Sequence, residues 1–235
     1  MKKSLLFAVC VLGAVTCVEA RTRTTRRTGT KKIAAQEAKP AANDNRVMID
    51  QFAKVGRQST LPAPVIQGAS IIGTTYNKPR RWIVLETKYT TFAKWMDRLT
   101  FTWHVILETK SATENKGNKD GLAPYSYLTT TVNYQNIPQG SHSAGVCLHP
   151  SYLERFGEPK AIGLVITDAN GEIIAGEVVS EIKGIKNGTK FWEDQQIMNA
   201  EQDGEPMIER RQGLLDRSKT IWALVNPNDY ELVTQ

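Results

Sequence analysis

AIGLVITDANGEIIAGEVVS, residues 161–180, places two apolar runs around a turn centred on Asn170-Gly171. Ile162, Leu164 and Ile166 alternate with Gly163, Val165 and Thr167 on the way in, and Ile173 to Val179 returns with apolar side chains on both faces. Alternation of this kind is the period of a strand. Asp168-Ala169-Asn170-Gly171 supplies the residues that tolerate positive φ, which a tight connection between twisted antiparallel strands requires. The stretch reads as a β-hairpin, and one this apolar on both sides needs other strands to cover it.

The sequence around it supplies candidates. Trp82 to Tyr89 (WIVLETKY) is apolar and then alternating. Arg98 to Lys110 (RLTFTWHVILETK) is the cleanest period-two run: Leu99, Phe101, Trp103, Val105 and Leu107 face one way, and Thr100, Thr102, His104 and Glu108 the other. That pattern predicts a sheet with one buried face. Tyr125 to Tyr134 (YSYLTTTVNY) is rich in aromatic and β-branched residues. Ile137-Pro138-Gln139-Gly140 reads as a turn, and Ala144 to His149 as another short strand. Pro150-Ser151 then opens a helical turn, Tyr152 to Phe156, which Gly157 closes. Farther on, Phe191-Trp192 begins a further predicted strand, Glu201 to Glu205 reads as an acidic loop, and Pro206 to Arg217 fits a strand or a short helix. Thr220 to Val225 (TIWALV) is a predicted closing strand, and Tyr230 to Val233 a last edge. Many short strands, no long periodic helix and no βαβ alternation predict an all-β antiparallel β-sandwich over residues 81–235.

The N-terminal residues read differently. Met1-Lys2-Lys3 is a short basic head, Leu5 to Val15 is apolar, and Val18-Glu19-Ala20 is a small-x-small exit. This is a signal-peptide pattern over residues 1–20, with cleavage after Ala20. The apolar run falls short of the roughly 20 residues a membrane-spanning helix needs. Cys10 and Cys17 lie inside the signal segment 1–20, and Thr16 stands where a lipid-modification site before Cys17 would have Gly or Ala. The pattern predicts an exported protein of the periplasm, outer membrane or cell surface. Cys147 is then the one remaining cysteine, without a partner for an internal disulfide, so packing must stabilise the fold. Residues 47–80 read as an extended approach segment, with Val47, Ile49, Phe52 and Val55 allowing a short helix between Asp44 and Val55.

The formal charge of +6 is not spread evenly. Residues 21–46 hold eight basic residues, Arg21, Arg23, Arg26, Arg27, Lys31, Lys32, Lys39 and Arg46, against Glu37 and Asp44. Beyond them 20 basic residues face 21 acidic ones, so the folded part is close to neutral. Lacking large apolar residues, 21–46 reads as a disordered basic linker, suited to an anionic membrane surface or polysaccharide through Arg21, Arg23, Arg26, Arg27, Lys31 and Lys32. Nothing in the near-neutral remainder suggests specific nucleic-acid binding.

Chemistry-bearing motifs are sparse. Ser141-His142-Ser143-Ala144-Gly145 is one residue short of the G-x-S-x-G nucleophile elbow, but the strand-before, helix-after context the elbow needs is absent. Cys147 and His149 share a strand face, with His142 nearby, yet three ligand types without a Cys-x-x-Cys pair are too few for a closed zinc site. Asn118-Lys119-Asp120-Gly121 echoes a calcium loop with Lys116 where the first carboxylate belongs, so a calcium site in Ser111–Pro124 needs distant ligands. No catalytic, cofactor or metal residues are assigned. Trp82, Trp103, Trp192 and Trp222 sit in predicted strands as core residues, whereas Trp95, in the polar run Ala93-Lys94-Trp95-Met96-Asp97, is the aromatic contact candidate.

The run Lys94-Trp95-Met96-Asp97-Arg98-Leu99-Thr100-Phe101, the tyrosine-rich strand after it, and Leu215-Asp216-Arg217-Ser218-Lys219-Thr220-Ile221-Trp222-Ala223 resemble exported immunoglobulin-like proteins of mucin-associated gut bacteria linked to type IV pilus-like gene clusters. The resemblance covers about residues 80–230. It implies an immunoglobulin-like sandwich and a non-enzymatic envelope role, with other envelope or pilus proteins as partners. The long apolar N-terminal helix of a pilin subunit is missing, so the expectation is an accessory protein. Two alternatives stand beside it: an exported enzyme using Ser143 or the His142, Cys147 and His149 group, and a carbohydrate-binding module using exposed aromatics.

Overall fold

The computed structural model describes residues 46–63, 80–109, 122–202, 204–223 and 231–233. The predicted signal peptide with Ala20, the basic residues Arg21 to Lys39 and most of the Ser111–Pro124 loop lie outside them. In chain order the strands are β1 (Val47–Gln51), β2 (Ser59–Pro62), β3 (Arg81–Glu108), β4 (Tyr125–Leu148), β5 (Glu158–Thr167), β6 (Ile173–Ser180), β7 (Glu201–Gln202), β8 (Glu205–Pro206), β9 (Ile208–Arg211), β10 (Leu214–Asp216) and β11 (Glu231–Val233). The main sheet runs β10-β4-β3-β5-β6, with β1 and β2 added to β3 and β9 and β11 added to β4. Every pair is antiparallel except β4 with β9.

The fold is an antiparallel β-sandwich, as predicted, but two long strands supply both of its layers. WIVLETKY and RLTFTWHVILETK, predicted as separate strands, are the two halves of β3, and β4 likewise joins the tyrosine-rich run to the strand ending at Leu148. The β3–β4 ribbon turns back on itself. Tyr89 and Phe101 would lie roughly 40 Å apart along a straight strand, yet their ring centroids are 5.0 Å apart across the core. Leu85 and Tyr89 from one half meet Leu99, Phe101, Trp103, Val105 and Leu107 from the other, all fully buried. Phe52 closes this core by stacking on Trp103 at 6.0 Å.

The corner is built from irregularities. β3 takes four steps from Thr91 to Trp95 where β4 takes two from Gly140 to Pro138. On β4, Asn136 has φ 54° and Gly140 φ 143°, so the strand changes which parity faces inward. The sequence Ile137-Pro138-Gln139-Gly140, predicted as a turn, therefore stays in the ladder. Pro138 offers its carbonyl to the Thr91 hydroxyl at 2.7 Å and to His142 Nε2 at 2.8 Å, and Gly140 N–H donates to Thr91 Oγ1 at 3.1 Å.

Several local readings are corrected. The short helix over Asp44–Val55 is instead β1: Val47 is buried, Met48 exposed and Ile49 half-buried, a period of two that pairs with Tyr89 to Thr91. Val47, Met48, Ile49, Phe52 and Val55 hold to neither period throughout, and the open edge of β3 selects the strand. Phe191-Trp192 lies in a turn, and Thr220 to Ala223 is a turn rather than a closing strand, with 224–225 outside the described residues. The acidic loop Glu201–Glu205 is held by the small β7–β8 hairpin, and Pro206–Arg217 resolves into β9 and β10. The predicted helical turn is the helix Pro150–Phe156, closed at Gly157 with φ 85°. A Cβ at Gly157 would come within 1.7 Å of the Glu108 carbonyl oxygen, which explains the glycine.

The outer face of the 98–108 half is also covered, contrary to the prediction of one buried face. Ile106, Tyr127, Ala161 and Val178 pack beneath Ile185, Phe191 and Met198 as a second, smaller core. His104 belongs to it: buried, it stacks on Trp192 and hydrogen-bonds through Nδ1 to the Tyr127 hydroxyl at 2.7 Å.

Candidate interaction surface

The corner of the ribbon turns large apolar groups outward. Thr91, Ala93 and Met96 turn toward the core, whereas Phe92, 48% exposed, and Trp95, 59% exposed, face solvent. Met48 on β1, paired with Thr90, adds a third apolar side chain at 51% exposure. Trp95 was the predicted contact residue, and the structure places it where it can be touched. Phe92 and Met48 were not predicted. The signal for Phe92 is the loss of alternation in Thr90-Thr91-Phe92-Ala93-Lys94, where no strand period fits.

Arg46, the last residue of the predicted linker, is docked at the same corner. Its carbonyl accepts the Phe92 N–H at 3.0 Å, and its guanidinium pairs with Asp168 at 3.1 Å and Glu172 at 3.2 Å. Asp168 also accepts the backbone N–H groups of Asn170 and Glu172. Burial would raise its carboxyl, but these N–H groups and the Arg46 charge prevail and hold it below the ordinary carboxylate range.

At the far end of the first half of β3, a cleft of about 190 Å³ opens on the outer face. Val84, Gly145 and Cys147 give it an apolar floor, and Leu61, Glu86, Ser143, Arg217 and Trp222 edge it. The strand register explains the grouping, since Leu61 pairs with Trp82, Val84 with Cys147 and Glu86 with Gly145. Trp222 is held by the turn after the 3-10 segment Arg217–Lys219, where its N–H donates to Thr220 Oγ1 at 3.2 Å and its ring meets Trp82 edge-on at 5.2 Å. Burial pushes the Cys147 thiol up to about 11, against the partial opposing effect of Arg217, so it is a protonated, unreactive packing group. Trp222 escaped the sequence reading because TIWALV has the composition of a core strand, and Arg217 because it ends a stretch, Pro206–Arg217, that fits a strand or a short helix.

The groups considered for catalysis and metal binding are not assembled. His142 and Ser143 are neighbours on a continuous strand, so their side chains leave opposite faces: His142 pins Pro138 and Thr91 beside Tyr89, while Ser143 edges the cleft. His149 instead packs edge-on against Trp82 at 4.6 Å and caps the helix that follows it. The strand runs past Ser143 to Leu148 without the sharp turn of an elbow. Among the described residues no three His, Cys, Asp or Glu side chains come together as a metal site. No helix among them is long and apolar enough to cross a membrane. Trp82 and Trp103 are core strand residues as predicted, whereas Trp192 and Trp222 sit in turns.

Fold and surface together describe an all-β sandwich with an apolar cleft on one outer face and exposed aromatic residues at the corner of its long ribbon. A family model matches residues 43–231, most of the chain, and the chain belongs to that family. A crystal structure of a protein from Akkermansia muciniphila superposes with a TM-score of 0.56 at 20% sequence identity, covering 81% of this chain and 93% of that one. At that identity the likeness concerns the fold. No curated protein matches the sequence.

Proposed function

We propose that this chain is a non-enzymatic, exported envelope protein that works by binding other envelope or pilus proteins, as an accessory component of a pilus or secretion assembly. The resemblance of Lys94–Phe101 and Leu215–Ala223 to exported, pilus-linked immunoglobulin-like proteins supports that role. The observation that carries the binding reading is the Leu61–Val84–Trp222–Arg217 cleft. It is an apolar recess edged by the two residue types, Trp and Arg, that most often dominate protein interfaces, and its size suits one or two side chains of a partner.

Leu61 lies at the rim and is 41% exposed, so Leu61→Asp places a charge in the cleft without entering the core. Gentle crosslinking in the envelope, followed by co-purification, should recover discrete protein partners with the native chain. The Leu61→Asp and Trp222→Ala variants should lose about 2 kcal/mol of affinity, roughly thirty-fold. A hydrolytic activity abolished by Ser143→Ala, with circular dichroism unchanged, would replace this reading with that of an exported enzyme.

A further inference from the structure

The two outer faces of the sandwich are not alike. The one on the 98–108 half lies beneath Ile185, Phe191 and Met198, whereas among the described residues nothing covers the one on the first half of β3 between Glu86 and Phe92. Leu85, Thr87, Tyr89 and Thr91 are buried there, so Glu86, Lys88, Thr90 and Phe92 stand along the outside. One end of this row is the cleft beside Val84 and Glu86, and the other is the exposed aromatic pair Phe92 and Trp95. Glu86 and Phe92 are roughly 20 Å apart along the strand, so the aromatic pair does not reach the cleft of its own chain.

We propose that two copies of this chain pair face to face through this surface, with Trp95 of each filling the cleft of the other and Phe92 packing on its rim. The inference rests on the cleft being a binding recess, and it names a second copy as the occupant. Size favours it: a cleft of about 190 Å³ with an apolar floor and Trp222 at its edge takes one indole, a side chain that buries about 150–250 Å² when covered. Charge favours it too. Antiparallel stacking that lays Phe92 over the partner's Glu86 also lays Lys88 over the partner's Thr90, whose hydroxyl donates to Asp50 at 2.6 Å, so each Lys88 meets a carboxylate of the other copy. Lys94, next to Trp95, comes beside the partner's Glu86 in the same register. The strands around β3, at about 4.8 Å spacing and 3.3 Å per residue, make this face roughly 20 Å by 30 Å, on the order of 600 Å² before side chains are counted. Each partner of a stable complex contributes about 800 Å². Because the aromatic pair and the cleft share one face of one strand, the contact is reciprocal and closes at two copies. Pairing occupies the cleft, so a second copy and an envelope partner compete for it.

The test is the mass of the purified full chain in sedimentation equilibrium, from micromolar to millimolar concentration, with no envelope partner present. The native chain should reach twice the mass of one copy and stop there. Trp95→Ser and Leu61→Asp should each weaken the pair about tenfold or more. Lys88→Glu should weaken it as well, and adding Asp50→Lys in the same chain, which reverses both charges, should restore it. All four positions are exposed, so melting of the single chain should be unchanged, and the restoration is a readout that a folding defect would not give. A photoreactive residue in place of Trp95 should link two copies through the segments that hold Leu61 or Trp222. The proposal is overturned if the mass stays that of one copy or grows past two, or if both Trp95→Ser and Leu61→Asp pair like the native chain. It is equally overturned if Asp50→Lys fails to restore pairing, or if the adduct from position 95 falls elsewhere. A chain that stays single while a photoreactive residue at position 61 still captures envelope proteins ends the pairing and leaves the protein-binding cleft standing.

Discussion

The indole of Trp192 lies flat on the imidazole of His104, with ring centroids 3.9 Å apart and planes 5° from parallel. The contact explains why a histidine on the predicted solvent face is buried. It also determines how the histidine titrates: burial lowers the His104 pKa from 6.5 to about 4, because the charged imidazolium is poorly solvated beneath the indole.

That depression makes the fold acid-sensitive. Between pH 6.5 and 4 the unfolded chain binds the proton and the folded chain does not, so stability is complete above the unfolded pKa and falls as pH drops through this window. The loss attributable to His104 amounts to about 3 kcal/mol at most, from 1.36 kcal/mol per pKa unit. Denaturant melts at stepped pH should show it, and His104→Phe, which keeps a ring under Trp192, should flatten that part of the profile. An unchanged profile in His104→Phe would assign the acid sensitivity elsewhere.

Gly163 is the partner of His104 across β3 and β5, and a Cβ there would come within 2.2 Å of the Trp192 ring. Gly163→Ala should therefore push Trp192 off the sheet, cost about 1–3 kcal/mol as an overpacking change, and shift tryptophan emission to the red. A substitution tolerated without either effect would mean that Trp192 does not hold the outer core closed.

Trp103 is fully buried, and its Nε1–H has no hydrogen-bond partner among the described residues. Trp103→Ala should cost about 3–5 kcal/mol, the range for a large aromatic lost from a core. Trp103→Phe should cost less than about 1.5 kcal/mol, because it keeps the stack on Phe52 and removes a buried donor. A loss below about 1 kcal/mol for the Ala variant in denaturant melts would place the wrong face of β3 inward.

Residues whose local chemistry settles their conformation were legible in the sequence. The β5–β6 hairpin follows from alternation plus Asp168-Ala169-Asn170-Gly171, the helix from Pro150 and Gly157, and the inner face of β3 from Leu99 to Leu107. What sequence spacing could not show was decided by partners distant along the chain. Pro138 and Gly140 carry turn chemistry, but Thr91 and His142 bind the Pro138 carbonyl and hold the ribbon in register through the corner. Phe191-Trp192 and TIWALV have strand composition and become lids, because the sheet positions they would have filled are taken by β3, β4 and β5. For the outer core a clue was present: Gly163 interrupts an otherwise bulky strand, a pattern that marks close approach of another group. For the interaction surface, the exposure of Trp95 was readable from its polar neighbours, while the cleft depends on register between β2, β3 and β4 that no single segment contains.

A photoreactive residue placed at Leu61, on the rim of the cleft, tests the binding account most directly. Illumination of cells carrying it should give a small set of discrete protein adducts, absent when the same residue is placed at exposed Asn170 on the hairpin turn and lost when Trp222→Ala is added. No protein adduct at position 61, or the same adducts from position 170, would contradict a cleft that works by binding a partner in the envelope.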